Sequence, residues 1–239
     1  MELRVLGIDD LQERIVECRL CPRLVKYRED VARNKRRAYR EWEYWGKPVP
    51  GFGDSHAQIL LVGLAPAAHG ANRTGRVFTG DRSGDFLYNA LYQEGFASQP
   101  RSVQKDDGLR LSNVYITAAV RCAPPDNKPT PQEILTCRQY IRRELELLTS
   151  VRVVVALGKL AFDDYLAILQ SRGLIERRSA FKFGHNLEHT IGPGQPVLIS
   201  SYHPSQQNTQ TGKLTEAMFR AVLRRARQAA TQAAKPDGV

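Results

Sequence analysis

Short unbroken apolar runs alternate with longer stretches of helical spacing along most of the chain. Apolar runs at 57–63, 114–120, 151–157 and 197–201 predict four buried strands. Helical spacing predicts helices over about 83–95, 131–148, 159–169 and 214–230. This alternation predicts an α/β fold in three α/β/α layers, with a central parallel sheet of four strands and helices on both faces. We expect one domain over residues 1–239.

The segment before the first strand is helical, charged and aromatic. An apolar stripe over 11–25 predicts a helix that Pro22 ends or bends at the CxxC, and 28–45 is crowded with basic and aromatic side chains. Basic and aromatic residues together can contact phosphates and bases. A solvated helix whose aromatic side chains pack on the domain explains the same pattern. We expect residues 1–50 to pack on the sheet domain and the tail, 231–239, to fray.

Three polar loops follow predicted strands, at 63–81, 124–131 and 202–212. The carboxyl ends of parallel strands meet at one edge of a sheet, where open α/β folds bind ligands. The first loop is rich in Gly and small residues, so its backbone can approach a ligand closely. The sequence therefore predicts a binding site where these three loops meet.

Four side chains in these loops have the chemistry for such a site, and each also has a purely structural interpretation. Asp81 precedes a helix, so it can orient a water, stabilise a developing cation, or simply cap the helix. Three nearby arginines and the helix N-terminus predict that this carboxyl is ionised. His203 can hydrogen-bond an anionic leaving group, or belong to a turn before Pro204.

The other two candidates are Phe78 and Asn127. Phe78 is an aromatic ring in a small, polar loop, where it can stack on a base or anchor the loop. Asn127 can donate and accept hydrogen bonds at once, which suits reading a base edge, but it also fits a turn between prolines.

Composition indicates the class of partner. The 239 residues carry a net charge of +10, and a basic protein of this size favours nucleic acid as its polyanion. No run approaches the ~18 apolar residues of a membrane span, and the first ten residues lack a secretory pattern. We expect a cytoplasmic protein that does not bind membranes.

The chain has four cysteines: Cys18, Cys21, Cys122 and Cys137. Cys18 and Cys21 form a CxxC, whose spacing lets two thiolates face one metal centre. If the fold brings the N-terminal segment against the middle of the chain, all four can hold zinc or a [4Fe–4S] cluster. Four unrelated buried cysteines are the alternative.

The chain contains several long motifs: GLAPA at 63–67, NRTGR at 72–76 with FTGD at 78–81, HPS at 203–205 with NTQTG at 208–212, CxxCPR at 18–23 and RCAPP at 121–125. Together these motifs resemble those of the family 5 (type B) uracil-DNA glycosylases. The resemblance covers nearly the whole chain. It implies the uracil-DNA glycosylase fold, a structural [4Fe–4S] cluster on the four cysteines, and removal of uracil, with hypoxanthine and xanthine as further bases.

The resemblance also implies roles for individual residues. An extruded base would contact the first loop, Phe78, Asn127 and His203, while Asp81 and His203, with Asn127, would carry catalysis. The residues of the first loop that would contact the base are Gly63, Ala65, Pro66, Ala67 and Ala68. The residues expected to bind DNA are Arg73, Arg76, Ser205 and Lys213.

This chain has Ala67, Ala68 and His69 where other branches of the superfamily place a water-handling side chain, and Ala118 where they place a uracil reader. Asp81 and Asn127 are the natural substitutes, and a site without a strict reader should accept more kinds of base. We expect a monomeric, monofunctional enzyme that flips deaminated bases out of double- or single-stranded DNA and leaves an abasic site. The rival from another class is a non-catalytic, basic Cys₄-metal module that only binds DNA.

Overall fold

A mixed sheet forms the centre of the fold in the computed structural model, which describes residues 7–233. The strands are β1 (Phe52–Gly53), β2 (Ile59–Gly63), β3 (Val114–Ala118), β4 (Val153–Leu157), β5 (Leu187–His189) and β6 (Val197–Ser201). Their order in the sheet is β1-β3-β2-β4-β6-β5. The four central strands are parallel, as predicted, and β1 and β5 pair antiparallel at the two edges.

The central strands are mostly apolar because helices cover both faces of the sheet. Every residue of β2, β3 and β4 is buried, which is the pattern of a parallel sheet in an α/β protein. Gly63 pairs with Ala118, and Leu157 pairs with Ser201, so all four strands end near one edge. The loops that follow them therefore start side by side.

The two edge strands were not predicted. They have only two and three residues, and β5 is largely exposed, so neither produces an apolar run. The predicted parallel core of four strands is therefore confirmed, and the two edge strands extend the sheet to six.

Helices cover both faces, which confirms the three-layer α/β/α sandwich. The helices are α1 (Ile8–Val16), α2 (Pro22–Asn34), α3 (Ala71–Thr74), α4 (Arg82–Gln93), α5 (Pro131–Leu147), α6 (Lys159–Ser171), α7 (Gln206–Gln210) and α8 (Glu216–Ala233). α4 and α8 pack on one face of the sheet, and α5 and α6 pack on the other together with α1. Within residues 7–233, no helix combines the length and apolar character needed to cross a bilayer.

The N-terminal segment has two helices where the sequence predicted one that Pro22 ends or bends. α1 ends at Val16, before the expected break, and Pro22 is the first residue of α2. Proline fits that position since its missing N–H would have no partner there. Both cysteines of the CxxC lie in the connection between these two helices. At the other terminus α8 continues to Ala233, and the rest of the tail that we expected to fray lies outside the described residues.

Candidate active site

A cavity of about 700 Å³ opens where the central strands end. Its walls come from the loops after β2, β3, β4 and β6, so the three loops predicted from the sequence do meet there. The candidate side chains that line it are Phe78, Asp81, Asn127 and His203. The structure thus brings together residues that are as much as 125 positions apart in the chain.

Phe78 forms one wall in a backbone conformation that few side chains adopt. Its φ is +51°, in the left-handed region, which costs a non-glycine residue about 1–3 kcal/mol. A Cβ on Gly63 would lie 2.8 Å from the Phe78 ring, so only glycine leaves room for the ring there. The ring centroid lies 5.9 Å from that of His203, with 33° between the planes. The fold therefore holds Phe78 in a strained position at the pocket.

Asp81 caps α4 and also lines the pocket, so its capping role leaves the carboxylate at the candidate site. The Gly84 N–H donates to its Oδ1 at 3.0 Å, and its Oδ2 faces Gly70. Burial raises the pKa of Asp81, although hydrogen bonds from the Gly84 and Ser83 amides lower it in part. The prediction that its surroundings favour the ionised form is wrong in direction, because desolvation outweighs the nearby positive charge.

His203 is uncharged at neutral pH. Burial lowers the pKa of its imidazole to about 4. A neutral imidazole has one N–H donor and one acceptor nitrogen, so this side chain can donate a hydrogen bond into the pocket without carrying a charge. Its backbone is held in place, since Asn208 Nδ2 donates to the His203 carbonyl at 2.9 Å.

Asn127 lies at the open mouth of the pocket. It ends a short 3₁₀ turn, Pro125–Asn127, and both Asp126 and Asn127 have φ above +50°. Its side chain is exposed. Asn127 is therefore part of a turn, as one of the two interpretations expected. Its side-chain amide is still able to contact a ligand at the mouth of the pocket.

The first loop supplies small residues to the pocket floor. Gly63, Ala65, Pro66 and Ala67 line the cavity as expected, whereas Ala68 does not. The carbonyl of Ala68 instead accepts a hydrogen bond of 3.4 Å from Asn72.

The loop after β4 also borders the pocket, and the sequence reasoning missed it. Gly158, Lys159 and Leu160 lie on the rim, and the Leu160 side chain is 53% exposed. The same rule about strand ends applies to this loop, so its position after an obvious central strand was the available signal. Gln206 and Gln207, from the loop after β6, also line the pocket.

Arg73 and Arg76 are not placed to bind DNA, which corrects their predicted role. Each is 4% exposed. Arg73 donates from Nε to the His69 carbonyl and from Nη2 to the Gly80 carbonyl, both at 2.9 Å. Arg76 donates to Asp107 at 2.7 Å and to Ser102 at 2.9 Å. These guanidinium groups brace the loop from inside.

The other two predicted DNA contacts lie at the surface near the pocket. Ser205 lines the cavity, and its Oγ caps α7 by accepting from the Asn208 N–H. Lys213 is exposed, with its ammonium 5.0 Å from the centre of the Tyr202 ring. Both side chains can therefore be reached by DNA at the pocket, and their contacts with DNA stay a prediction.

The four cysteines surround a second, small cavity on the other side of the first loop. It is lined by Cys18, Cys21, Cys122 and Cys137. The buried guanidinium of Arg28, 2% exposed, donates to Cys122 Sγ at 2.9 Å and to the Cys18 carbonyl at 3.2 Å. Within the described residues, no three or more His, Cys, Asp or Glu side chains converge closely enough to hold one metal ion.

Comparison with known proteins agrees with this geometry. Residues 50–227 match the model of the uracil DNA glycosylase superfamily. The chain is 54% identical over 218 residues to the type-5 uracil-DNA glycosylase of Thermus thermophilus, covering 91% of this chain and 96% of that one. It is 49% identical over 225 residues to the type-5 uracil-DNA glycosylase of Mycobacterium tuberculosis, covering 94% of this chain and 82% of that one. It is 47% identical over 218 residues to the type-5 uracil-DNA glycosylase of Pyrobaculum aerophilum, covering 91% of each chain. The chain therefore belongs to the uracil-DNA glycosylase superfamily, and within it to the type-5 uracil-DNA glycosylases.

Proposed function

We propose that this protein excises uracil from DNA by hydrolysing the N-glycosyl bond, which releases the free base and leaves an abasic site for repair. The observation that carries the proposal is the convergence of Phe78, Asp81 and His203 on one pocket. Family membership and the net charge of +10 support a DNA substrate.

An enzyme cannot reach its target atom on a base inside a duplex, so the base must leave the stack to enter the pocket. Extruding a nucleotide costs a few kcal/mol, and least for a mispaired or damaged base, which is one source of selectivity. The Phe78 ring is placed to stack on the extruded base. Stacking on an aromatic side chain is worth about 1–3 kcal/mol per base, which offsets much of this cost.

Asp81 and His203 have complementary chemistry for breaking the glycosidic bond. As the bond lengthens, the sugar gains positive charge and the base gains negative charge. The Asp81 carboxylate, fixed by the Gly84 amide, would stabilise the cation or orient the attacking water. The neutral His203 would donate its N–H to the departing base, since burial already keeps it uncharged. Loss of one such donor typically slows a reaction by ~10²–10³.

The lining favours a monofunctional enzyme that does not cleave the DNA strand. Strand cleavage by a glycosylase proceeds through an amine that attacks the sugar. Among the described lining residues only Lys159 carries an amine, and its Nζ is paired with Asp163 at 2.6 Å. Water is therefore the nucleophile that we propose.

Hypoxanthine and xanthine are further proposed substrates. Ala67 and Ala118 offer no side-chain hydrogen bonds at two positions on the pocket wall. Asn127, the proposed substitute reader, lies at the open mouth rather than in a closed slot. A pocket without a rigid polar reader discriminates weakly between bases, because a mismatched base leaves few buried groups unpaired.

We propose further that the four cysteines hold a [4Fe–4S] cluster, which would join the N-terminal helices to the sheet domain. A single zinc ion needs its four sulfurs at about 2.3 Å from one point, whereas a cluster spreads its thiolates around a larger body. All four cysteines line one small cavity between the N-terminal helices and the sheet domain, so a group held there would have thiolate ligands from both. Arg28 fits an anionic thiolate centre, because its nearest carboxylate, Glu29 at 4.0 Å, is already bound to Arg19.

A duplex carrying one uracil tests the activity directly. Incubation followed by alkali should cut the strand at the uracil, and no cut should appear without alkali. Asp81→Asn should lower the rate about 10²-fold or more and leave DNA binding intact. Binding without any abasic product would favour the non-catalytic module instead. The same assay with hypoxanthine and xanthine tests the wider substrate range.

Metal analysis of freshly purified protein tests the cluster. We expect about four iron and four sulfide per chain with a broad visible absorbance band, and Cys18→Ser should lose both and much of the folded protein. One zinc per chain without iron would contradict the cluster and support the Cys₄ zinc alternative.

A further inference from the structure

Three exposed arginines lie on a tight turn after α2: Arg36, Arg37 and Arg40. The turn is well held. The Tyr39 N–H donates to the Arg36 carbonyl at 2.8 Å, and the Lys35 ammonium donates to the Arg40 carbonyl at 3.3 Å. Its shape is therefore fixed while its guanidinium groups point to solvent. We call these three side chains the arginine turn.

Aromatic side chains attach the arginine turn to the loop that carries Asp81. The Arg73 guanidinium lies 4.0 Å from the centre of the Tyr39 ring and 4.1 Å from that of Trp42. Arg73 in turn donates to the Gly80 carbonyl, next to Asp81. The aromatic residues of this segment thus pack on the domain, as one of the two sequence interpretations expected. The arginines between them remain at the surface.

A second contact ties the same segment to the loop. The Tyr44 hydroxyl lies 3.0 Å from His69 Nδ1, and His69 precedes Gly70, the residue on which the Asp81 carboxylate rests. Burial lowers the pKa of His69, and the positive charges of Arg36 and Arg73 lower it further, which shows how close Arg36 lies to this loop. The arginine turn is therefore fixed just outside the wall that holds Asp81.

Within residues 7–233, none of the three arginines is in an ion pair. Other arginines of the N-terminal segment are paired, for example Arg19 with Glu29 and Arg33 with Asp30. Glu41 and Glu43 follow in the same segment and are exposed, but neither forms an ion pair with the turn in that range. Fixed cations without carboxylate partners beside the pocket are available for an external anion.

We propose that Arg36, Arg37 and Arg40 bind backbone phosphates of the DNA strand beside the extruded nucleotide. This inference rests on the proposed function. It also supplies the phosphate contacts that Arg73 and Arg76, being buried, do not make. Arginine suits phosphate because its planar fork donates two parallel hydrogen bonds. Contacts of this kind position the protein on DNA without reading sequence.

The test compares two triple variants with the same change in net charge. The first is Arg36→Gln, Arg37→Gln and Arg40→Gln. The control is Arg172→Gln, Arg177→Gln and Arg178→Gln, three exposed arginines at and beyond the far end of α6. The N-terminus of α6 borders the pocket, and 13 residues of helix place its other end about 20 Å away.

Binding of an unmodified duplex is measured by fluorescence anisotropy across about 50–200 mM salt. Each lost phosphate contact should reduce the slope of log affinity against log salt by about 0.9, so the first variant should lose about 3 from the slope. When salt rises from about 50 to 200 mM, both proteins lose affinity for the duplex, and the loss for the variant should be roughly 40-fold smaller than the loss for the unaltered protein. The control variant should keep the original slope. Thermal unfolding of both variants checks that the fold is retained.

Equal slopes for the two triple variants would overturn the proposal, as would an unchanged slope in the first. Uracil release is measured separately on the unaltered protein. If it releases no uracil, the proposed function fails even where the slopes differ. If it releases uracil and the slopes agree, only the arginine turn is excluded.

Discussion

The carboxylate of Asp81 rests directly on Gly70. A Cβ added to Gly70 would lie 2.2 Å from Asp81 Oδ2 and 3.0 Å from its Cγ, far inside van der Waals contact. On the other side of the carboxylate, the Gly84 N–H donates to Oδ1 at 3.0 Å. The orientation of this carboxylate in the pocket therefore depends on the lack of a side chain at residue 70.

Gly70→Ala should displace the Asp81 carboxylate and slow uracil release. A shift of about 1 Å in a reacting group can cost 10²-fold, so we expect a loss of about that size in single-turnover rate. Gly192→Ala is the matched control, because a Cβ on Gly192 would meet nothing within 4 Å. Full activity in the Gly70 variant, with the fold retained, would show that the position of Asp81 does not matter for the reaction.

Phe78→Leu should weaken binding of the extruded base. Replacing the ring with an aliphatic side chain removes stacking worth about 1–3 kcal/mol, which corresponds to a loss of roughly 10–100-fold in kcat/KM for a uracil duplex. Phe78→Tyr keeps an aromatic face and should retain most of the activity. If the leucine and tyrosine variants are equally active, the ring anchors the loop and does not stack on the base.

Arg76 should matter for stability and not for DNA affinity. Its guanidinium is buried against Asp107 at 2.7 Å and Ser102 at 2.9 Å, and hydrogen bonds from Arg76 and from backbone amides keep the pKa of Asp107 low despite burial. Removing one partner leaves a buried charge unpaired, so Arg76→Gln, which leaves Asp107 without its partner, should cost about 3 kcal/mol in the free energy of urea unfolding. The salt dependence of DNA binding should not change. A smaller salt slope with normal stability would return Arg76 to the DNA interface.

The sequence was sufficient to predict the sheet core and the meeting of its loops. Each central strand is a run of five residues buried by helices on both faces, so hydrophobic spacing alone identifies it. The shared edge then follows from the parallel order. The edge strands β1 and β5 escaped this reasoning because their pairing depends on neighbours distant in the chain and not on their own pattern.

The direction in which polar side chains point was less predictable. Arg73 and Arg76 look like phosphate contacts in a basic loop, yet both turn inward to carbonyl and carboxylate partners. The pKa of Asp81 was misjudged for the same reason, since its charged neighbours are visible in the sequence and its burial is not. Local spacing identifies residue types, but only the packed fold decides which of them reach the pocket.

His203 gives the protein a stability that depends on pH. Burial lowers the pKa of its imidazole to about 4 in the folded state, against about 6.5 in the unfolded chain. Between these values the unfolded state binds a proton that the folded state does not, so the stability present above pH 6.5 is lost as the pH falls towards 4. From pH 7.5 to pH 5 this amounts to about 2 kcal/mol.

Urea unfolding of the unaltered protein and of His203→Gln at pH 7.5, 6 and 5 measures this effect. Glutamine does not titrate, so the unaltered protein should lose about 2 kcal/mol more than the variant over this range. His69 and His185, whose pKa values are also lowered by burial, are present in both proteins and cancel in the comparison. A difference between the two proteins that stays constant with pH would mean that His203 is protonated in the folded state as easily as in water. It would then be charged in acid solution, and its proposed role as a neutral donor would be confined to higher pH.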